Sequence, residues 1–361
     1  KALTERLAQA QGLTKPEVAV LLAYSKMNYF EAIVDSDIPD DPFVLDRLVR
    51  YFPPVLGERY PDAILAHRQR REIVGTTFVG EIADHVGPGI GFRVREEVGA
   101  DIAAVARAYL VTSEVFETDR LWRDVEALDN RVAAAVQIEM LSGIAEFLVQ
   151  TFTGLLRSYK ESLDMGRLKA RFHDAAAELW DAMPRPLASQ DKLEYERRVR
   201  HFSGEGVPLE LAQRVAGLGP MAAALDIIDV SRTTETDIVS VAWVYSVLNH
   251  SLELDWIRRQ IDSLSVQTHW HLLARTKLLA ALSRHRRDIT AEVLRSRRKQ
   301  GSPRGILEHW TRQNRTLLDR HAQIIAEFKA GNLFDFAILS LLVAGVGELL
   351  PGATGVQAPP E

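Results

Sequence analysis

Apolar residues recur at helical spacing along most of this chain. One such series has an apolar residue at every fourth position: Val74, Phe78, Ile82 and Val86. This spacing places all four on one face of an α-helix. The alternation of apolar and polar residues that marks half-buried strands is absent between the turn signals. The pattern therefore predicts an all-α protein, built as an array of many helices.

The clearest helix start lies at Thr14. Thr14 and Glu17 have the spacing of a capping box, and Pro16 falls in the first turn, where its missing N–H costs nothing. The following residues, 18–24, read VAVLLAY and leave almost no polar face. A helix that is apolar all round is a core helix or a membrane span, and a span needs roughly 20 residues. We therefore predict that this helix is buried on several sides.

A second apolar run, FAILSLLVAGVG, occupies residues 336–347 between Asp335 and Glu348. It is also too short to span a bilayer, so we expect a packed core helix and no membrane anchor. Residues 351–361 are rich in proline and glycine, which predicts a disordered tail.

The chain contains an internal repeat. Residues 101–128 align without a gap with residues 237–264, at an offset of 136, and ten of the 28 positions are identical. Two amphipathic helix pairs could resemble each other by chance, or the chain could contain a duplicated helical unit. Under the second interpretation the two segments share one local fold.

We expect a first helical subdomain over residues 1–160 and a second over residues 161–350.

Composition excludes several classes of function. The net charge of −5 provides no basic field for binding nucleic acid. The chain contains no cysteine, which excludes disulfides and thiolate metal sites and is compatible with the reducing cytoplasm, where we expect the protein. No signal peptide is visible, and the chain begins with Lys1, from which we expect it to be part of a longer protein.

Motifs for chemistry are few. The glycine-rich stretch GPGIGF is followed by Val94 where a dinucleotide fingerprint needs a small residue, and GTTFVGEI has Glu81 where a phosphate loop needs lysine. Histidine spacings typical of metal sites are also absent. We predict no catalytic, cofactor-binding or metal-binding residue in this chain. The basic residues that could bind a small anionic effector are Arg68, Arg70, Arg71, Arg93 and Arg95.

Several ordered segments together resemble a known family. They are LTKPEVAVLLAYSK, SDIPDDPF, RYFPPVLGERY, HRQRREIVGT, REEVGADIAAVARAYLVTSEVF and LWRDVEALDN. In this order they are similar to the C-terminal helical region of bacterial large-subunit NAD-specific glutamate dehydrogenases. In that family the region follows the catalytic dehydrogenase domain, so the resemblance implies that the helix at Thr14 lies just after a domain junction.

The resemblance implies a parent enzyme that oxidatively deaminates L-glutamate to 2-oxoglutarate and ammonium, with NAD as cofactor. The family's catalytic and nucleotide-binding residues belong to the preceding domain and match no position here. The implied role is assembly or regulation, with the upstream catalytic domain and further copies of the same chain as partners, and with neither nucleic acid nor a membrane. The alternative is an autonomous α-helical interaction scaffold.

Overall fold

The computed structural model describes residues 12–159, 163–296, 301–331 and 334–350. Within these ranges every regular element is a helix, and the prediction of an all-α array is confirmed. The predicted tail at residues 351–361 lies outside the described residues.

Nine helices and one 3₁₀ turn make up the described chain as far as residue 159. The helices are α1 (Lys15–Val34), α2 (Pro42–Tyr51), α3 (Pro54–Arg59), α4 (Pro61–Leu65), α5 (Arg70–His85), α6 (Ile90–Val98), α7 (Ile102–Phe116), α8 (Thr118–Glu126) and α9 (Ala134–Tyr159), and the 3₁₀ turn is Ile38–Asp40.

Ten further helices lie among the described residues that follow. They are α10 (Met165–Ala182), α11 (Ser189–Gly204), α12 (Leu209–Met221), α13 (Ala224–Thr234), α14 (Ile238–Ser251), α15 (Leu254–Asp262), α16 (His269–Arg295), α17 (Pro303–Gln313), α18 (Arg315–Gly331) and α19 (Phe336–Gly347).

The helices form two compact units. Unit 1 comprises Lys1–Trp122 and Leu141–Ala170, and unit 2 comprises Arg123–Met140 and Arg171–Glu361. The chain therefore passes between the units at three places. The division into expected subdomains, residues 1–160 and 161–350, stays a prediction.

The core of unit 1 is organised around α7. Eleven of its fifteen residues are buried, which requires neighbours on nearly every side. Aromatic rings of α9 contact it edge-on: the Phe116 and Phe147 centroids are 5.0 Å apart, and those of Tyr109 and Phe152 are 6.5 Å apart. Such edge-to-face pairs add to the stabilisation that burial already provides.

Helix α1 begins as predicted but is not buried as predicted. Glu17 accepts a hydrogen bond from the Thr14 amide at 2.8 Å, as a capping box requires. However, only Tyr29 and Ile33, both in the second half of the helix, are buried. The expectation of a helix covered on several sides is therefore wrong for residues 15–28. Composition shows that these residues are apolar, but it does not show that the described part of the chain leaves them exposed.

The second apolar run, α19, is a core helix on one side. Leu339, Leu342, Val343 and Val346 are buried, and α19 packs against α15 and α16. No single helix in the described ranges is long and apolar enough to cross a membrane. The bent pair α12 and α13 is long and apolar enough only when its two helices are taken together. Many residues of that pair are buried in unit 2, as expected for core helices.

Both copies of the repeat form a long helix followed by a short one. Asp101 caps α7 by accepting from the Ala104 amide at 2.7 Å, and Asp237 caps α14 by accepting from the Ser240 amide at 2.9 Å. The short helices, α8 and α15, have nine residues each. One residue separates α7 from α8, and two residues separate α14 from α15. The same elements with the same caps support a duplicated unit.

Candidate functional site

The first half of α1, residues 15–28, is the largest exposed apolar feature on any one helix in the described chain. Its large apolar side chains are between 37% and 59% exposed: Val18, Val20, Leu21, Leu22, Tyr24 and Met27. Contiguous exposed apolar surface of this kind marks an interaction site in soluble proteins. We name this segment the exposed half of α1.

The second half of α1 is fixed firmly in unit 1. The Tyr29 ring lies edge-on to Phe92 with centroids 6.4 Å apart, and a Cβ on Gly91 would lie only 2.2 Å from the Tyr29 hydroxyl. Gly91 is therefore needed for close helix packing.

A buried arginine with three carboxylates is the strongest polar feature of unit 1. Arg47, on α2, is only 7% exposed. Its guanidinium lies 2.6 Å from Glu81, 3.0 Å from Glu114 and 2.6 Å from Asp119. Glu114 also accepts from Lys169 at 3.1 Å. We call these five residues the Arg47 cluster.

The Arg47 cluster holds one more negative charge than positive charge when all of its groups are ionised. Burial raises the pKa of Glu81 to about 7, against the opposing effect of Arg47. Burial alone would also raise the pKa of Glu114. The pKa of Glu114 is nevertheless lowered, because Arg47 and Lys169 both donate hydrogen bonds to it. Glu81 thus keeps its proton to a higher pH than an ordinary glutamate does, and this proton removes the excess negative charge.

The neighbouring carboxylates keep the Arg47 guanidinium charged. Burial acts to lower the pKa of this guanidinium, but the charges of Asp119, Glu81 and Glu114 outweigh burial, and the net shift is upward. A buried arginine without such partners would be costly to the folded state. The cluster therefore works as an internal tie between α2, α5, α7 and α8.

Three aromatic side chains, His85, Tyr109 and Trp122, lie together beside the Arg47 cluster. His85 lies on α5, one turn after Glu81. The His85 Nδ1 atom is 2.7 Å from the hydroxyl oxygen of Tyr109, and the His85 ring stacks on Trp122 with centroids 4.1 Å apart. Tyr109 is fully buried, and burial raises its pKa above the usual range, so it remains a neutral hydroxyl. These contacts fix the imidazole in position.

Unit 2 contains a second buried arginine in a similar setting. Arg286, on α16, is 9% exposed and lies over the Tyr245 ring at 5.3 Å from the centroid. Its Nη1 atom is 3.7 Å from Asp255 Oδ1. Tyr245 donates to Asp226 at 3.1 Å, and burial raises its pKa above the usual range. We call these four residues the Arg286 cluster.

The two clusters use equivalent positions of the repeat. Asp119 and Asp255 are 136 residues apart, as are Tyr109 and Tyr245. Asp119 accepts from Ser113 at 2.5 Å, and Asp255 accepts from the residue equivalent to Ser113, Asn249, also at 2.5 Å. In both copies the aspartate at this position therefore pairs with a buried arginine from elsewhere in the chain. The two tyrosines differ, because Tyr245 lies under Arg286 whereas Tyr109 contacts His85.

The five arginines predicted as an anion site lie on different parts of unit 1. Arg70 and Arg71, at the start of α5, both form ion pairs with Asp40. Arg71 also donates to backbone carbonyl oxygens of residues 34 and 36. Arg68 is exposed in the turn before α5, whereas Arg93 and Arg95 are exposed on α6. The positive charge of the first two is therefore partly used within the protein.

The clusters were missed by sequence reasoning, although the repeat contained a signal. Five of the ten identities between its two copies are apolar and are explained by packing. Asp119/Asp255 is a polar identity, and both of these aspartates belong to the clusters. No group of three His, Cys, Asp or Glu residues within the described ranges could hold a metal ion.

Comparison with known proteins places the chain. A family model described as "Glutamate dehydrogenase, C-terminal" matches residues 10–347. The NAD-specific glutamate dehydrogenase of Halomonas elongata is 31% identical over 96% of this chain and 22% of its own length. That of Pseudomonas aeruginosa is 31% identical over 94% of the chain and 21% of its own length. That of Mycobacterium tuberculosis is 28% identical over 94% of the chain and 21% of its own length.

The chain thus spans about a fifth of the length of the curated relatives that it matches. The family match covers nearly all of the described helices, from α1 to α19. The exposed half of α1, both buried-arginine clusters and the repeat all fall within the matched residues. On this basis the chain belongs to the glutamate dehydrogenase family and corresponds to its C-terminal region.

Proposed function

We propose that this chain is the non-catalytic C-terminal helical domain of an NAD-dependent glutamate dehydrogenase, in which it serves assembly or regulation. The parent enzyme would oxidatively deaminate L-glutamate to 2-oxoglutarate and ammonium, with NAD accepting the hydride. Hydride transfer requires a cofactor held in fixed geometry against the substrate. We assign that task to the remaining four fifths of a polypeptide of the relatives' length.

The observation that carries an assembly role is the exposed half of α1. The second half of this helix is part of the core of unit 1, whereas the first half presents six large apolar side chains to solvent. Exposed apolar surface costs free energy unless a partner covers it, at about 25 cal/mol for each Å². A helix anchored at one end and exposed at the other is suited to joining this domain to another body.

Regulation and location are the less specific parts of the proposal. We propose that the enzyme acts in the cytoplasm as a homo-oligomer. The five arginines, Arg68, Arg70, Arg71, Arg93 and Arg95, stay our proposal for the binding of a small anionic effector. Within this set the exposed Arg68, Arg93 and Arg95 are better suited, because Asp40 already pairs with the other two.

The proposal is tested with the full-length enzyme and a version truncated before Thr14. We expect the truncated enzyme to lose its native oligomer or its solubility, and its activity in consequence. The purified chain alone should give no glutamate-dependent reduction of NAD. A soluble truncated enzyme with unchanged turnover, effector response and oligomeric mass would refute the proposed role, and NAD reduction by the chain alone would refute its non-catalytic character.

The alternative function is an autonomous helical interaction scaffold. The duplicated helix pair favours it, because repeated helical units commonly build binding surfaces. The two proposals predict different coding sequences upstream of Lys1. A reading frame that continues upstream into an α/β dehydrogenase sequence supports the enzyme domain, and a start codon near the Lys1 codon supports the scaffold.

A further inference from the structure

Five of the six large apolar side chains in the exposed half of α1 lie on two opposite sides of the helix, and Leu21 lies between these sides, about 60° from Val18 and from Tyr24. At 3.6 residues per turn, Val18 and Leu22 lie about 40° apart on one side. Val20, Tyr24 and Met27 lie within about 60° of one another on the other side. All five are exposed. A partner that covers this segment must therefore contact it from both sides.

Polar side chains in the same segment are turned back onto the helix. Ser25 donates to the carbonyl oxygen of Leu21 at 2.9 Å, and Asn28 donates to that of Tyr24 at 2.9 Å. Their hydrogen-bonding capacity is thus partly satisfied without water. This arrangement lowers the cost of moving the segment into an apolar environment.

The two-sided pattern discriminates between possible occupants. A helix that lies on a membrane surface needs one polar face toward water, and the exposed half of α1 has apolar side chains on opposite sides. Pairing with α1 of a second copy would cover one side and leave the other exposed. A groove that encloses the helix covers both sides, which is how amphipathic and apolar helices bind larger bodies.

The chain itself indicates which body supplies the groove. In relatives about five times longer, a match to the C-terminal region leaves most of the polypeptide before it. Of the described helices, α1 is the one nearest in sequence to that preceding polypeptide. A groove in the same polypeptide is linked covalently to α1, and such a link raises its effective concentration relative to that of a separate copy.

We propose that the exposed half of α1 inserts into an apolar groove of the preceding, catalytic part of the same polypeptide. This inference rests on the proposed function. Burial of Tyr24 would require a hydrogen-bond acceptor or donor for its hydroxyl, so the groove has one polar group opposite this side chain. Val18 and Leu22 contact one wall of the groove, and Val20 and Met27 contact the other wall.

The test uses the full-length enzyme with the photoreactive residue p-benzoylphenylalanine at position 22 or at position 24, one on each side of the helix. We expect both positions to form cross-links within the same polypeptide, to peptides that precede α1. Mixing isotopically light and heavy enzyme distinguishes links within a chain from links between copies. The matched control carries the photoreactive residue at Glu31, which is exposed on the half of α1 that packs in unit 1.

The outcomes separate this inference from the function on which it rests. Cross-links between copies, or links from only one of the two positions, would show a helix pair and overturn the groove. No cross-link above that of the Glu31 control would show a helix exposed to solvent and would also overturn it. In either case the truncation experiment can still support an assembly or regulatory domain. Truncated enzyme with wild-type behaviour would refute the proposed function, whatever α1 contacts.

Discussion

Glu117 and Glu253 adopt the same left-handed backbone conformation, with φ of 53° at both, although 136 residues separate them. Each lies at the junction between the long and the short helix of one repeat copy, directly before α8 and α15 respectively. This conformation costs an L-amino acid roughly 1–2 kcal/mol relative to the right-handed helix. The same costly junction at equivalent positions is the sharpest structural sign of duplication.

This junction predicts an ordering of variants. Asparagine tolerates the left-handed conformation and valine does not, so Glu117→Asn should be more stable than Glu117→Val by about 1–2 kcal/mol. Both variants remove the carboxylate, so its own contacts cancel in the comparison. The same pair at Glu253 should give the same ordering in urea unfolding. Equal stabilities of the two variants at both sites would contradict the prediction.

The Arg47 cluster predicts a large loss of stability on removal of its cation. Arg47→Met leaves three carboxylates around a buried site, and we expect the free energy of unfolding to fall by about 3–5 kcal/mol. The control is Arg304→Met, which removes an exposed pair with Glu308 and should cost at most about 1 kcal/mol. Equal losses for the two variants would mean that the cluster is not a structural tie.

Glu81 predicts a specific dependence of stability on pH. The unfolded chain releases the Glu81 proton near its ordinary pKa of 4.5, whereas the folded chain retains it up to about pH 7. Between these values the folded state binds more protons, so stability falls as the pH rises. The loss approaches about 3 kcal/mol and is complete above the folded pKa.

Glu81→Gln should therefore gain stability relative to the wild-type chain as the pH rises from 5 to 8. Glutamine retains the shape of the side chain but has no proton to release. Urea unfolding at one-unit intervals measures the difference between the two proteins. Parallel curves over this pH range would show that Glu81 has an ordinary pKa in the folded state.

The contact between Gly91 and Tyr29 predicts opposite effects for two glycine substitutions. Gly91→Ala would place a Cβ 2.2 Å from the Tyr29 hydroxyl, and overpacking of this kind costs about 1–3 kcal/mol. Gly80, inside α5, has nothing within 4 Å of its would-be Cβ, so Gly80→Ala should stabilise the protein by up to about 1 kcal/mol. Thermal unfolding of both variants tests the prediction, and destabilisation by Gly80→Ala would refute the second half of it.

Local features could be predicted from the sequence because neighbouring residues determine them. The spacing of Thr14 and Glu17 predicted the start of α1, and the constant offset between the repeat copies predicted two similar helix pairs. The exposure of residues 15–28 could not be predicted. An apolar helix must be covered, but its sequence contains no information about whether the covering surface belongs to this chain.

The Arg47 cluster could not be predicted for a different reason. Arg47 meets Glu81, Glu114 and Asp119 across 34, 67 and 72 residues of chain, so no local spacing connects them. Charged residues at such distances in sequence usually lie on solvated surfaces. Among these four residues only Asp119 is a polar identity of the repeat, so the sequence distinguished only this position from ordinary surface charge.

The two clusters also differ in how their arginines reach them. Arg47 precedes Asp119 by 72 residues, whereas Arg286 follows Asp255 by only 31. The entropy lost on closing a flexible loop grows with the logarithm of its length, which makes the first contact costlier by about 0.7 kcal/mol. Chains with shorter-range contacts fold faster. The two copies are alike once folded, yet we expect the contact between Arg286 and Asp255 to form before the contact between Arg47 and Asp119 during folding.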